Sequence, residues 1–185
     1  MKLDMLIVGV GGQGTLLASK ILGNYATAIG KDCKLSEVHG MSQRGGSVVT
    51  YVRIGDKVHS PLIDRKCADV ILAFEELEAL RWAEYIRDGG TVIVNKQNIP
   101  VKDYPTDICK RLKKYNAKIL YIDALSIAKQ LLNLRTVNIA VLGYFAAVQK
   151  LNKAQFIAAL KTSVKPETHE INLRAFEEGY ARGQE

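Results

Sequence analysis

Six residues near the amino terminus, Gly9-Val10-Gly11-Gly12-Gln13-Gly14, have the types and the spacing of an anion-binding turn. They follow an apolar run from Leu3 to Val8, which predicts a buried strand, and they precede helical periodicity that extends to about Ile29. Glycines at these positions allow a tight turn whose backbone N–H groups and helix dipole can receive a negative charge. We interpret the segment as the strand, glycine turn and helix that open an α/β sheet.

This turn has two interpretations. A dinucleotide site also needs an acidic residue at the end of the second strand to hold the ribose, and Glu37 stands roughly in range. However, Glu37 is followed at once by a polar, glycine-rich loop rather than by a helix. Binding of NAD, NADP or FAD is therefore one interpretation, and a purely structural glycine turn is the other.

The loop from His39 to Gly46 is the second candidate region. Arg44 is followed by two glycines, which let another backbone or a ligand approach, and an arginine can fork onto a phosphate or carboxylate. The alternative is a flexible loop with a solvated arginine. No catalytic or metal-binding residue is assigned. The candidate ligand-facing residues are Gly9, Gly11, Gly12, Gln13, Gly14, Ser42, Gln43, Arg44, Gly45 and Gly46.

The remaining pattern predicts a Rossmann-like open, mostly parallel sheet flanked by helices, with an inserted β-hairpin and a helical C-terminus, in one domain over residues 1–185. The hairpin is placed at 47–54 and 57–60, around a two-residue Gly55-Asp56 turn. The other strands are expected at 33–38, 70–74, 91–95 and 118–123. Helices are expected at 75–88, 106–115, 124–132, 137–150, 153–162 and 168–181.

Composition narrows the classes of function. The net charge of +7 suits an acidic partner, but the chain lacks the aromatic motifs and the basic helix of nucleic-acid-binding modules. Its three cysteines form no CxxC pair and are expected to be buried thiols, and no zinc or iron–sulfur motif is present. The longest apolar stretch, Val137 to Val148, is too short for a membrane span, and no targeting segment is evident. We expect a cytoplasmic protein.

Two segments together are more specific than either alone. The glycine motif at 9–14, followed by Ser36-Glu37-Val38-His39-Gly40-Met41-Ser42-Gln43-Arg44-Gly45-Gly46, resembles the gamma-type domain of pyruvate/2-oxoacid:ferredoxin oxidoreductases. Within that family the second segment looks like the indolepyruvate-type beta subunit. The resemblance extends through the strand at 69–74, whereas the C-terminal helices match in general character.

The resemblance implies a small subunit that is inactive alone and supports oxidative decarboxylation of a 2-oxoacid to an acyl-coenzyme A, with electrons passing to ferredoxin. Thiamine diphosphate, magnesium and the iron–sulfur clusters are expected in the larger partner subunit. Coenzyme A is a candidate ligand at the interface, faced by the glycine turn and Arg44. The competing hypotheses are a free-standing NAD(P)- or flavin-binding reductase and a basic interaction module.

Glycine at positions 11 and 14 leads to a further expectation. A side chain at Gly11 or Gly14 should crowd the strand-to-helix turn, and should therefore harm folding or assembly before it harms chemistry.

Overall fold

The computed structural model describes residues 1–40 and 46–185, and six strands of this part of the chain form one sheet. In chain order they are β1 (Leu3–Val10), β2 (Asp32–His39), β3 (Ser47–Gly55), β4 (Ala68–Ala73), β5 (Ile86–Asn95) and β6 (Lys118–Ile122). Across the sheet the order is β2-β3-β1-β4-β5-β6. Strands β1, β4, β5 and β6 are parallel neighbours, and β3 runs antiparallel to both β1 and β2.

Seven α-helices occur in the same part of the chain. They are α1 (Thr15–Ala28), α2 (Glu76–Arg81), α3 (Ile108–Leu112), α4 (Ala124–Gln130), α5 (Val137–Val148), α6 (Lys153–Ser163) and α7 (His169–Arg182). Short 3-10 turns lie at Ala83–Tyr85, Leu134–Thr136 and Pro166–Thr168. None of these helices is long and apolar enough to cross a membrane.

Alternate residues of each strand point to opposite faces of the sheet. Helices cover both of these faces. Met5 and Ile7 of β1 belong to the core beneath α1 and α4–α7, whereas Leu6 and Val8 belong to the core beneath α2 and α3. The central strand is therefore buried on both faces. The predicted fold class, a mostly parallel sheet flanked by helices with a helical C-terminus, is confirmed.

The predicted position of the hairpin is wrong. The hairpin consists of β2 and β3, which residues 40–46 connect along the chain, and residues 57–60 form no strand. Both edges of β3 are already occupied, one by β1 and the other by β2. A strand at 57–60 would therefore have no edge of β3 with which to pair.

The predicted helix at 75–88 is also wrong over its second half. Helix α2 ends at Arg81, and Ile86 already begins β5. Ile86 pairs with Ala68 of β4, and the register then shifts so that Thr91 pairs with Val70. Sheet pairing has thus overridden the local helical pattern. The predicted helix at 106–115 shortens to α3, and the other predicted elements are present to within a few residues.

Candidate functional site

The candidate site lies at the carboxyl ends of β1, β4 and β5. Helix α1 leaves β1 toward one face of the sheet, and α2 leaves β4 toward the other. The boundary between β1 and β4 is therefore the topological switch point, where ligands of open α/β sheets usually bind. Since β3 is antiparallel, its first residue, Ser47, lies at this same edge opposite Val10.

The glycine turn at this edge is tightly packed at two positions and open at two. A Cβ atom on Gly14 would lie 2.3 Å from Nδ2 of Asn138 in α5, and Gly14 has φ +84°. A Cβ on Gly9 would lie 2.8 Å from Oε1 of Gln13. In contrast, a Cβ on Gly11 would meet only the Gly46 carbonyl oxygen, at 3.8 Å, and one on Gly12 would meet nothing within 4 Å. The expectation of crowding therefore agrees with the geometry at Gly14 and is wrong at Gly11.

Three backbone amides of this turn donate hydrogen bonds within the chain. Val10 N–H donates to Oε1 of Gln13 at 2.7 Å, and Gly11 N–H donates to the Gly46 carbonyl at 3.0 Å. Gln13 N–H donates to the Val10 carbonyl at 3.1 Å. In a dinucleotide fold, the turn instead lets the backbone approach the pyrophosphate. This turn is therefore hydrogen-bonded to Gly46, the residue that directly precedes β3.

Glu37 does not occupy the position of a ribose-binding carboxylate. It lies on β2, and β3 separates that strand from β1, so the two strands are about 10 Å apart. Its carboxylate accepts a hydrogen bond from Oγ1 of Thr50 at 3.0 Å and contacts Nε2 of His39 at 2.6 Å. The insertion of β3 thus removes the second half of a standard dinucleotide site.

Side-chain amides join the strand ends. Gln13 Nε2 donates to the Phe74 carbonyl at 3.1 Å and lies 3.3 Å from Oε1 of Gln97. Asn95, fully buried at the end of β5, donates to the same Phe74 carbonyl at 3.2 Å and accepts from Ala124 N–H at 3.1 Å. These contacts connect the carboxyl ends of β1, β4 and β5 with the start of α4.

A buried carboxylate holds the loop that follows β5. Glu75, which is 1% exposed, accepts from Ile99 N–H at 3.1 Å and from the Tyr104 hydroxyl at 2.6 Å. Burial, followed by the hydrogen bond to Glu75, raises the pKa of Tyr104. Burial, followed by the charge of Glu75, likewise raises the pKa of Glu76. Glu75 therefore fixes the segment of residues 99–104 beside the switch point.

A second carboxylate fixes the start of β3. Glu78, buried in α2, accepts a hydrogen bond from Oγ of Ser47 and pairs with Nε of Arg81 at 3.0 Å. Gly40 N–H donates to the Ser47 carbonyl at 2.8 Å, which closes the stem of the loop. The structure thus brings Gly46 together with the glycine turn. The predicted site residues Ser42, Gln43, Arg44 and Gly45 lie outside the described residues.

Comparison with known proteins identifies the family. The model of the pyruvate ferredoxin/flavodoxin oxidoreductase family matches residues 4–182. Indolepyruvate oxidoreductase subunit IorB of Thermococcus kodakarensis is 38% identical, over 98% of this chain and 96% of that protein. The chain belongs to this family. The predicted class, a small subunit of a 2-oxoacid:ferredoxin oxidoreductase, is confirmed.

Other members are more distant. The common subunit gamma of the Pyrococcus furiosus pyruvate/ketoisovalerate oxidoreductases is 31% identical, with 94% of this chain and 93% of that protein covered. Among solved structures, pyruvate oxidoreductase subunit PORC of Thermotoga maritima has a TM-score of 0.78 at 24% identity, covering 97% of this chain and 96% of that one. Magnetococcus marinus 2-oxoglutarate:ferredoxin oxidoreductase has a TM-score of 0.78 at 17% identity, covering 99% of this chain and 31% of that one. These two structures show the fold.

The cysteines differ from the expectation of three buried thiols. Cys33 is half-buried, and burial raises its pKa to about 11, whereas Cys67 and Cys109 are exposed. Within residues 1–40 and 46–185, no three His, Cys, Asp or Glu side chains are grouped in a way that could hold a metal ion.

Several site residues were missed from the sequence. Glu75, Glu78 and Asn95 are charged or polar, yet each is buried at the carboxyl edge. The signal that could have found Glu75 and Asn95 is a polar residue directly after an apolar strand, where the edge of an α/β sheet is expected. Asn138, which packs against Gly14, gives a weaker signal, since it is one polar residue in an otherwise apolar helix.

Proposed function

We propose that this chain is the small subunit of an indolepyruvate-type 2-oxoacid:ferredoxin oxidoreductase. The observation that supports this substrate is the pattern of relatives. Full-length relatives named indolepyruvate oxidoreductase subunit IorB are 33–38% identical, compared with 28–31% for the pyruvate/ketoisovalerate gamma subunits. The proposal treats residues 1–185 as one domain, as the sequence predicts.

The larger partner subunit supplies the redox chemistry in this proposal. When bound there, thiamine diphosphate with magnesium supplies the decarboxylation of the 2-oxoacid, and iron–sulfur clusters carry the electrons to ferredoxin. Cluster ligation favours the partner as the location, since a [4Fe–4S] cluster takes four thiolates and this chain has three cysteines in all. We place the complex in the cytoplasm.

The small subunit contributes its carboxyl edge to the junction between subunits. The glycine turn anchors Gly46 through Gly11 N–H, and Ser47 is held by Glu78, so both contacts fix the two residues that directly follow Gly45 in the sequence. We assign Ser42, Gln43, Arg44 and Gly45 to this junction, with Arg44 as the side chain that binds a carboxylate or phosphate. Coenzyme A at this edge would find the exposed backbone of Gly12 accessible, whereas Gly11 N–H is already bonded to Gly46.

The test is reconstitution with the larger subunit of the same complex. We expect ferredoxin reduction that depends on both chains and on coenzyme A, with kcat/KM for indolepyruvate about tenfold or more above that for pyruvate or 2-oxoglutarate. A preference for pyruvate would overturn the substrate assignment. Activity that needs no second chain would overturn the subunit assignment itself.

A free-standing dinucleotide-binding reductase is not favoured by the geometry. Gly11 N–H is hydrogen-bonded to Gly46, and Glu37 lies two strands away from β1. We therefore expect calorimetric titration of the isolated chain with NADH, NADPH or FAD to give no dissociation constant in the micromolar range. A micromolar constant would favour this hypothesis over the subunit assignment.

A further inference from the structure

A histidine, a carboxylate and a hydroxyl form a hydrogen-bonded relay on the hairpin of β2 and β3. Nε2 of His39 lies 2.6 Å from Oε1 of Glu37, and Oε2 of Glu37 accepts a hydrogen bond from Oγ1 of Thr50 at 3.0 Å. Each oxygen of the Glu37 carboxylate therefore has a partner of its own. We name Thr50, Glu37 and His39 the hairpin relay.

Strand geometry brings the three side chains together. Glu37 and Thr50 are opposite residues in the antiparallel register of β2 and β3, so their side chains point to the same face of the sheet. His39 follows two residues after Glu37 on β2, and its side chain points to that face as well. The backbone hydrogen bonds between the two strands thus fix the spacing within the relay.

Burial increases along the relay from the imidazole to the hydroxyl. The side chain of His39 is 64% exposed, that of Glu37 is 17% exposed, and Thr50 is 2% exposed. An ordinary surface ion pair needs no third member and contributes little to stability. Here a buried hydroxyl fixes a largely buried carboxylate, which in turn orients an exposed imidazole. A base oriented by a third group in this way is typical of acid–base catalysis.

The carboxylate determines what the imidazole can do. An ionised carboxylate only accepts hydrogen bonds, so Nε2 of His39 donates to Glu37 and carries the hydrogen of the neutral ring. Nδ1 is then the nitrogen that can accept a proton, and Glu37 stabilises the imidazolium ion that results. No other hydrogen bond of the His39 side chain occurs within residues 1–40 and 46–185.

Glu37 is also the charged partner of this ring in the part of the chain that the structure describes. Helix α1 and strand β3 pack against β2. The charged side chain of α1 is Lys20, and that of β3 is Arg53, which pairs with Asp4. Neither makes an ion pair with His39, so the negative charge of Glu37 acts on the imidazole without competition from these two elements.

The relay lies in one row of the sheet with the glycine turn. His39 is opposite Val48 of β3, and Val48 is opposite Gly9 of β1. Two strand spacings, about 10 Å, therefore separate the backbone of His39 from that of Gly9. Gly40, which follows His39, donates its N–H to the Ser47 carbonyl at 2.8 Å. A ligand that extends along the carboxyl edge from the glycine turn to β2 would reach the imidazole.

We propose that His39 is a catalytic residue of the complex, the base that accepts the thiol proton of coenzyme A. This inference rests on the proposed function and deepens it. In the overall reaction the bond between the carboxylate and carbonyl carbons of the 2-oxoacid breaks, CO2 leaves, and two electrons pass to ferredoxin. The carboxylate carries no proton, so the one proton that is released comes from the thiol of coenzyme A.

The relay suits this proton transfer. The S–H bond of the thiol breaks, its proton moves to Nδ1 of His39, and the sulfur forms the new bond to the acyl carbon. Glu37 offsets the positive charge of the imidazolium until the proton leaves to water, which the exposure of His39 allows.

The test compares the coenzyme A kinetics of reconstituted complexes. His39→Gln keeps a polar side chain that cannot take up the proton, and should lower kcat/KM for coenzyme A about a hundredfold at neutral pH. The melting temperature should not change, because the side chain is exposed. Release of CO2 in a single turnover without coenzyme A should keep its rate, since no thiol proton takes part in it.

The pH dependence separates a base from a structural histidine. A thiol ionises without help near its ordinary pKa of about 8.5, so the deficit of His39→Gln should shrink as the pH rises from about 7 to about 9. A structural role gives a deficit that does not depend on pH, and that result would overturn the proposal.

Two further variants test the relay itself. Glu37→Gln keeps an oxygen for Thr50 but removes the negative charge, and should lower kcat/KM for coenzyme A about tenfold or more. His59→Gln is the matched control, because His59 is an exposed histidine beside a cavity at the amino edge, and it should leave kcat/KM unchanged. Wild-type kinetics in Glu37→Gln, or equal losses in His59→Gln and His39→Gln, would overturn the relay.

The outcomes also separate this inference from the proposed function. If the wild-type complex shows no ferredoxin reduction that depends on coenzyme A, the proposed function fails. If it does, and His39→Gln has the kcat/KM of the wild type for coenzyme A, His39 is not the base, and the proposed function stands.

Discussion

The amino ends and the carboxyl ends of the parallel strands lie at opposite edges of the sheet, and different interactions hold these two edges together. At the amino edge, Arg53 forks onto Asp4 at 2.9 and 3.2 Å, and Arg87 pairs with Asp69 at 2.6 Å. These ion pairs line an open cavity of about 540 Å³. At the carboxyl edge, the strand ends are joined by the neutral amides of Gln13 and Asn95.

The difference bears on where we propose that a partner subunit binds. At the amino edge the charged groups pair with each other within the chain and stay partly exposed, so each pair contributes little to stability. At the carboxyl edge, hydrogen bonds of neutral amides hold the strand ends in place at the switch point, where ligands of open α/β sheets usually bind. Variants at both edges can break or sharpen this comparison.

The largest effect is expected at Gly14. Gly14→Ala adds a methyl group 2.3 Å from Asn138 at φ +84°, and should lower the free energy of unfolding by about 3 kcal/mol. Gly12 also has a positive φ, but an added methyl group there would meet no neighbouring atom. Gly12→Ala should therefore lower the free energy of unfolding by about 1–2 kcal/mol. The free energy of unfolding of Gly11→Ala should stay within about 0.5 kcal/mol of the wild-type value. Urea denaturation measures all three, and equal costs at Gly12 and Gly14 would contradict tight packing against α5.

The next largest effect on the free energy of unfolding is expected for Asn95→Ala. It leaves Ala124 N–H buried without its acceptor, and should lower the free energy of unfolding by about 2 kcal/mol. Asn98→Ala, at an exposed position of the adjoining loop, is the control, and should change stability by less than about 0.5 kcal/mol. If Asn95→Ala lowered the free energy of unfolding by no more than Asn98→Ala, the side-chain amide of Asn95 would not hold the strand ends together.

Arg44→Lys should affect turnover rather than stability. A forked contact to a carboxylate or phosphate is worth about 1.5–3 kcal/mol, and lysine cannot reproduce the fork. Turnover of the assembled complex should fall about ten- to a hundredfold, while the melting temperature barely changes. Full turnover would remove Arg44 from the site. A parallel loss of stability and turnover would make it a structural residue of this chain.

The smallest effect is expected at the amino edge. Arg53→Lys loses the fork onto Asp4 and the bonds to the carbonyls of Ser60 and Leu62, but the side chain is 29% exposed. The free energy of unfolding should fall by about 1 kcal/mol or less, with a smaller difference at high salt, and turnover should not change. A loss of turnover comparable to that of Arg44→Lys would show that the two edges are not functionally distinct.

Much of the fold follows from local pattern. The apolar run of β1, the glycine turn and α1 are adjacent in sequence, so they could be placed without knowledge of the sheet. The same holds for α5, α6 and α7, whose boundaries lie within two residues of the prediction. The two errors, at 57–60 and at 82–88, both fall where the state of a segment depends on which strand edge is free.

The same distinction between local sequence and tertiary structure applies to the candidate site. The amino-acid sequence by itself placed a glycine turn after β1, and the combination of that turn with the arginine-glycine motif of residues 44–46 pointed to the family. Only the tertiary structure decided that β3 inserts between β2 and β1, that Gly11 N–H is bonded to Gly46, and that Gly14 rather than Gly11 is tightly packed. The physical reason is that strand order and close packing arise between residues distant in sequence, which leave no periodic signal along the chain.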